Sequence, residues 1–122
     1  MQKNPIVFWE LASHDAEKSV KFFEDVFEWE IPMNDRLGFY TTSADPDGGA
    51  IDGGIFTLKK AKLPFLTLFI QVEDIGVKAR KIEECGGNLI EPPHTLDSGA
   101  SICLFNEPSG VTFAMIQSPA GD

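Results

Sequence analysis

Large apolar residues alternate along Ile6 to Ala12, and the pattern then changes to helical spacing, with Ala16, Val20, Phe23 and Phe27 on one side and Glu17, Lys18, Lys21, Glu24 and Asp25 on the other. Period two predicts a strand, and the 3.6-residue period that follows predicts an amphipathic helix over Ala16 to Phe27. Ser13-His14-Asp15 supplies capping side chains between them, and Glu17 sits where a carboxylate favours the positive end of the helix dipole. Short strands are predicted at Trp29 to Ile31 and Leu37 to Thr42 around a turn at Pro32 to Asp35. A turn at Ala44 to Gly49 then precedes a strand over Gly53 to Leu58.

The same programme restarts at Phe65. An offset of 59 residues superposes Asp74 on Asp15, Ile75 on Ala16, Ala79 on Val20 and Ile82 on Phe23. The second half predicts a strand over Phe65 to Val72, a helix over Ile75 to Cys85 stopped by Gly86-Gly87, and strands at Asn88 to Glu91, Ala100 to Phe105 and Val111 to Gln117. A loop carrying Pro92-Pro93-His94 separates the first two of these strands, and Lys59 to Pro64 is the one candidate linker. The expected fold is α+β: a single domain over 1–122 made of two tandem βαβββ modules, at about 5–58 and 64–118. Curved, mostly antiparallel sheets would surround a cup, with one helix per module on the outer face.

Alternation divides each strand into two faces. Val7, Trp9 and Leu11 suit packing beneath a helix, which leaves Phe8, Glu10 and Ala12 for the far side. In the second module Leu66, Leu68 and Ile70 form the helix face and Thr67, Phe69 and Gln71 the other. The last strand divides into Val111, Phe113 and Met115 against Thr112, Ala114 and Ile116. Polar Glu10, Thr67, Gln71 and Thr112 among aromatics on a concave face are what a small-molecule pocket requires. Glu10 stands out, because a carboxylate on an apolar face either finds a partner or has its proton affinity raised, and the second condition tunes general bases. Gln71 could hydrogen-bond a ligand or could be a satisfied residue at a strand end.

Composition narrows the choice. A 43% hydrophobic content with ten Phe and two Trp supports a real core. The net charge of −9 opposes binding to phosphate backbones, so nucleic acid is not expected as a partner, and it favours neutral or cationic ligands. No apolar run approaches membrane-span length, and the N-terminus carries no basic segment leading into an apolar one, so a cytoplasmic protein without a membrane partner is expected. Cys85 and Cys103 lack metal-type spacing and are expected to be buried thiols. His14 and His94 are expected to be solvated loop residues.

The FWEL strand, Asp15 and the run Phe22-Phe23-Glu24-Asp25-Val26-Phe27-Glu28-Trp29 resemble the "FY..vFGW" signature of the vicinal oxygen chelate superfamily. That superfamily includes glyoxalase I, bleomycin-resistance proteins and extradiol dioxygenases. Gly53-Gly54-Ile55, Val72-Glu73-Asp74, Gly86-Gly87 and Glu107-Pro108-Ser109-Gly110 match further landmarks in order, so the resemblance covers nearly the whole chain. Glu28 departs from the family's usual glycine and Phe23 from its tyrosine. The resemblance implies a divalent metal held in the cup by metal-dependent members. Its ligand positions fall here on Phe8, Thr67 and Ala114 and on a fourth within Asp52 to Ile55, where only Asp52 could coordinate. Phenyl and methyl groups supply no donors. The chain is therefore expected to be a metal-free member without a cofactor.

Three functions follow as expectations. The first is binding or sequestration of a small organic molecule, with Phe8, Thr67, Phe69, Gln71, Asp52, Thr112 and Ala114 lining the site. The second is a metal-dependent lyase, isomerase or dioxygenase. The third is metal-free catalysis with Glu10 as general base on a carbonyl substrate. The sequence leaves open whether the protein is an enzyme. Family cups are often completed by pairing modules between chains, and a homodimer is expected.

Overall fold

The structure, a computed structural model, describes residues 3–43, 51–59 and 63–119. The turn expected at Ala44 to Gly49 and residues 60–62 of the expected linker lie outside these. The chain divides into two compact units, Phe8–Thr67 and Met1–Val7 with Leu68–Asp122, and each has its own helix and core.

In the first half, β1 (Ile6–Ser13) leads into α1 (Ala16–Phe27), followed by β2 (Met33–Asn34), β3 (Phe39–Thr42) and β4 (Asp52–Thr57). The strands lie in the order β2-β3-β4-β1. β1 and β4 run parallel with Glu10 beside Gly54, and the other two pairings are antiparallel. The helix starts where its caps dictate. Asp15, extended at φ −153°, accepts from the Lys18 amide at 3.3 Å, and the Ala16 amide donates to Thr57 Oγ1 at 2.9 Å. It ends at Glu28 in the left-handed region, φ 60° and ψ 29°, whose amide donates to the Glu24 carbonyl. Ala16, Val20, Ile31 and Ile55 form the core, with Trp9, Leu11, Phe23 and Tyr40 packed against it.

The second half is β5 (Phe65–Gln71), α2 (Ile75–Glu84), β6 (Asn88–Thr95), β7 (Ser101–Asn106) and β8 (Thr112–Gln117), with strand order β5-β8-β7-β6. The end of β5 is parallel to β8, with Phe69 beside Ala114, and β8-β7 and β7-β6 are antiparallel. The helix entry repeats that of the first half in detail. Asp74 accepts from the Val77 amide at 3.1 Å, and the first helical amide, Ile75, donates to Gln117 Oε1 at 2.8 Å on the last strand. Each helix N-terminus is thus tied to its module's closing strand, and both modules are βαβββ. Val72, Ile75, Ala79, Cys103, Phe105 and Met115 form the core beneath α2.

Some expectations need correction. Trp29 to Ile31 is not a strand. Trp29 turns back to stack on Phe23, with ring centroids 5.0 Å apart and planes 9° apart, and Ile31 enters the core of the first half. Pairing begins instead at Met33–Asn34, inside the expected turn. The turn itself moves beyond it, with the Leu37 and Gly38 amides donating to the Asn34 side chain and carbonyl and Gly38 at φ 80°. Pro92-Pro93-His94 lies within β6, not in a loop. β6 ends the strand order of its half, and its register shifts between Leu89 and His94, so an edge position and bulges accommodate prolines that have no amide to donate. Cys85 is exposed as the cap of α2, whereas Cys103 is fully buried. Phe27 is 55% exposed although it has core spacing. Leu66 on the expected helix face is exposed, while Thr67 and Phe69 from the opposite set are buried.

Candidate functional site

The parallel register of β1 and β4 decides what each face of the first half carries. Trp9 and Leu11 lie beside Gly53 and Ile55 and face α1, while Phe8 and Glu10 lie beside Asp52 and Gly54 on the other face. Thr41 opposes Gly54, so Phe39, two residues earlier on β3, shares the face of Glu10. A Cβ built on Gly54 would fall 2.5 Å from Phe39 Cε2 and 3.2 Å from Phe8 Cζ. The bare glycine is what lets those rings lie against the sheet.

A cleft of about 550 Å³ takes in residues from both faces, with Glu10, Phe39, Phe56 and Leu58 from this side, Ala16, Met33, Tyr40 and Ile55 from the side of α1, and Lys59 beyond β4. Its walls are mostly apolar. Among the described residues, Glu10 and the exposed Lys59 are its acid and base. Glu10 is half-buried and its side chain makes no hydrogen bond or ion pair among the described residues, so burial alone pushes its carboxyl above the ordinary value of 4.5. A group in this state can accept a proton from a bound molecule or pair with a cation that enters the cleft.

The other residues singled out by sequence fall in several settings. Phe8 is half-buried beside Asp52, and Asp52 is exposed at the start of β4. Thr67 is only 2% exposed, and its Oγ1 has no hydrogen-bond partner among the described residues. In the second half Phe69 and Ala114 are buried side by side on β5 and β8. Thr112 Oγ1 donates to Asn106 Oδ1 at 2.7 Å, and exposed Gln71 reaches Ser118 Oγ at 3.5 Å from the strand end. Of the whole set, Phe8, Glu10 and Asp52 share adjacent strands in the first half, and Phe69, Gln71, Thr112 and Ala114 share β5 and β8 in the second.

Sequence reasoning missed Met33, Phe39, Phe56 and Leu58. Alternation would have placed Phe39 on the face of Glu10 had the position of β3 beside β4 been known; the register supplies that, and composition cannot.

The metal positions implied by the superfamily resemblance do not fit a divalent ion. Phe8 and Ala114 have no donor atom, and Thr67 offers one neutral hydroxyl. Among the described residues no three His, Cys, Asp or Glu side chains gather. His14 and His94 are both exposed, His94 with its Nδ1 3.3 Å from the Pro92 carbonyl on the edge strand.

A family model, the Glyoxalase/Bleomycin resistance protein/Dioxygenase superfamily, matches residues 6–115. Among solved structures, a Streptomyces coelicolor methylmalonyl-CoA epimerase in complex with 2-nitronate-propionyl-CoA is similar, with TM-score 0.67 and 17% identity over 98% of this chain and 100% of that one. The methylmalonyl-CoA epimerase of Mycobacterium tuberculosis gives TM-score 0.65 at 14% identity over 97% and 91% of the two chains. A hypothetical protein of Bacillus halodurans C-125 gives 0.70 at 12% identity over 99% of each. At these identities the likeness is one of fold. Comparison with curated proteins gave no match.

Proposed function

The chain belongs to the glyoxalase/bleomycin resistance protein/dioxygenase superfamily, and from that premise we propose that it binds a small, largely apolar organic molecule, neutral or cationic, in the cleft against Glu10, without a metal. The observation that carries this reading is a half-buried carboxyl without a partner among the described residues, set among Met33, Phe39, Phe56 and Leu58. A desolvated acid with nothing to pair with is costly to keep unless a ligand supplies the partner. The lack of donor atoms at Phe8 and Ala114 supports the metal-free part of the reading, and the net charge of −9 supports a preference against anions.

Isothermal titration with a panel of cationic aromatic compounds tests it. Saturable heats that weaken in Glu10→Gln are expected. Flat heats across the panel, or equal affinities for both proteins, would remove the basis for this site.

The raised proton affinity of Glu10 also favours a second reading, with Glu10 as general base on a carbonyl-containing substrate. Methylmalonyl-CoA, the ligand of one structurally similar epimerase, is a reasonable first probe, although fold likeness does not carry a substrate over. Exchange of its α-proton in heavy water, lost in Glu10→Gln, would support catalysis. Exchange no faster than in buffer would exclude this substrate, and exchange unchanged in the variant would exclude the role of Glu10.

A further inference from the structure

The first half holds a second cavity, of about 650 Å³, walled by Trp9, Trp29, Glu28, Glu30, Thr41 and Thr42 among others. The chain has two tryptophans, and both are here. Their indoles are 6.0 Å apart between centroids and inclined at 45°, so they form two walls of a corner and not a stack. Each is held from behind. Trp9 lies over the bare backbone of Gly53, and Trp29 stacks on Phe23. Trp29 is nevertheless 41% exposed, an unusual amount of indole to leave in water.

Glu28 and Glu30 flank Trp29 in the chain and line the same cavity. The one ion pair found among the described residues, Lys21 with Asp25, involves neither. Rings present a negative face, and an organic cation with a diffuse charge and apolar surface loses little hydration in meeting it. Hydrated alkali and alkaline-earth ions want several converging oxygens, which aromatic walls do not offer. Anions are opposed by both carboxylates and by the net charge of −9.

We propose that the Trp9–Trp29 corner is a binding site for an organic monocation, a quaternary or otherwise alkylated ammonium group, with the indoles taking its apolar surface and Glu28 and Glu30 its charge. The site is separate from the Glu10 cleft and does not depend on what that cleft binds.

Because both tryptophans are in the corner, the intrinsic fluorescence of the full chain reports on it directly. The protein would be titrated with choline, with its uncharged isostere 3,3-dimethylbutan-1-ol and with sodium chloride at matched ionic strength. A saturable change with choline alone is expected, in the millimolar range for a partly exposed corner. The affinity should fall about threefold or more in Glu30→Gln and further in the Glu28→Gln, Glu30→Gln pair, and should be unchanged in Glu10→Gln. The proposal is overturned by an equal response to the isostere, by a response that never saturates, or by full affinity in the doubly substituted protein. Loss of affinity in Glu10→Gln with full affinity in Glu30→Gln would also overturn it, by assigning the cation to the other cleft.

Discussion

The indole of Trp9 occupies the space above Gly53 in which any other residue would place its Cβ. One residue on, Gly54 leaves the same room on the opposite face, and the rings of Phe39 and Phe8 take it. The Gly-Gly pair in β4 is therefore a strip of bare sheet with aromatic rings laid on both sides, and Phe39 and Trp9 are each a wall of a cavity.

Substitution should read this out face by face. Gly53→Ala must displace Trp9, and Gly54→Ala must displace Phe39. Overpacking of this kind costs about 1–3 kcal/mol, measurable by urea denaturation. Gly53→Ala is expected to shift tryptophan fluorescence as well, whereas Gly54→Ala should leave the indoles in place. A cost under about 0.5 kcal/mol for both would mean that the rings move freely.

Glu10 makes stability depend on pH. Its carboxyl binds a proton more tightly folded than unfolded, so the stability associated with it is fully present below 4.5 and is lost as pH rises through the folded value. Glu10→Gln removes that loss. The variant is expected to melt at a higher temperature than the native protein at pH 7, with the gap closing as pH falls below 4.5. Melting curves of both proteins across this range check it, and a constant gap would place the cause elsewhere.

Thr67 buries a hydroxyl without a partner among the described residues. An unmet buried polar group costs about 1–3 kcal/mol. Thr67→Val, which keeps the branched shape, should therefore be neutral or stabilising by up to about 1 kcal/mol. A loss of more than about 1 kcal/mol in chemical denaturation would show that the hydroxyl is used.

Glu28 holds a left-handed conformation, φ 60°, that side chains resist by roughly 1–2 kcal/mol. Glu28→Gly should recover about 0.5–1 kcal/mol of this, the remainder going to the greater freedom of the unfolded chain. The same variant should weaken choline binding at the tryptophan corner. A stabilised protein with undiminished affinity would separate the backbone effect from any role of the carboxylate.

Both helices were legible in the sequence because their signals are local. Asp15 and Asp74 cap within three residues, and the apolar spacing of α1 and α2 lies within the segment itself. The 59-residue repeat added the correspondence between the two halves, each a βαβββ unit. Glu10 was legible as the odd member of an alternating strand. What failed depended on contacts and positions that residue type and periodicity do not record. Trp29 has strand propensity but gains more by stacking on Phe23. Pro92 and Pro93 looked like a loop because nothing nearby says that β6 has only one neighbour within its half. Cys85 resembled a core thiol by type alone, and its position as the cap of α2 leaves it in water.

The parallel pairing of β1 with β4 has a consequence for how the cleft comes into being during synthesis. Glu10 leaves the ribosome early, but its strand neighbour Gly54 and the wall residues Phe56 and Leu58 follow only after the helix and two further strands have been made. Until then the nascent segment has a capped helix without its sheet, and no local hairpin can stand in for the missing strand. A chain stalled before Gly54 would display the Trp9 and Phe23 surfaces to chaperones, with the strand beside Glu10 still missing.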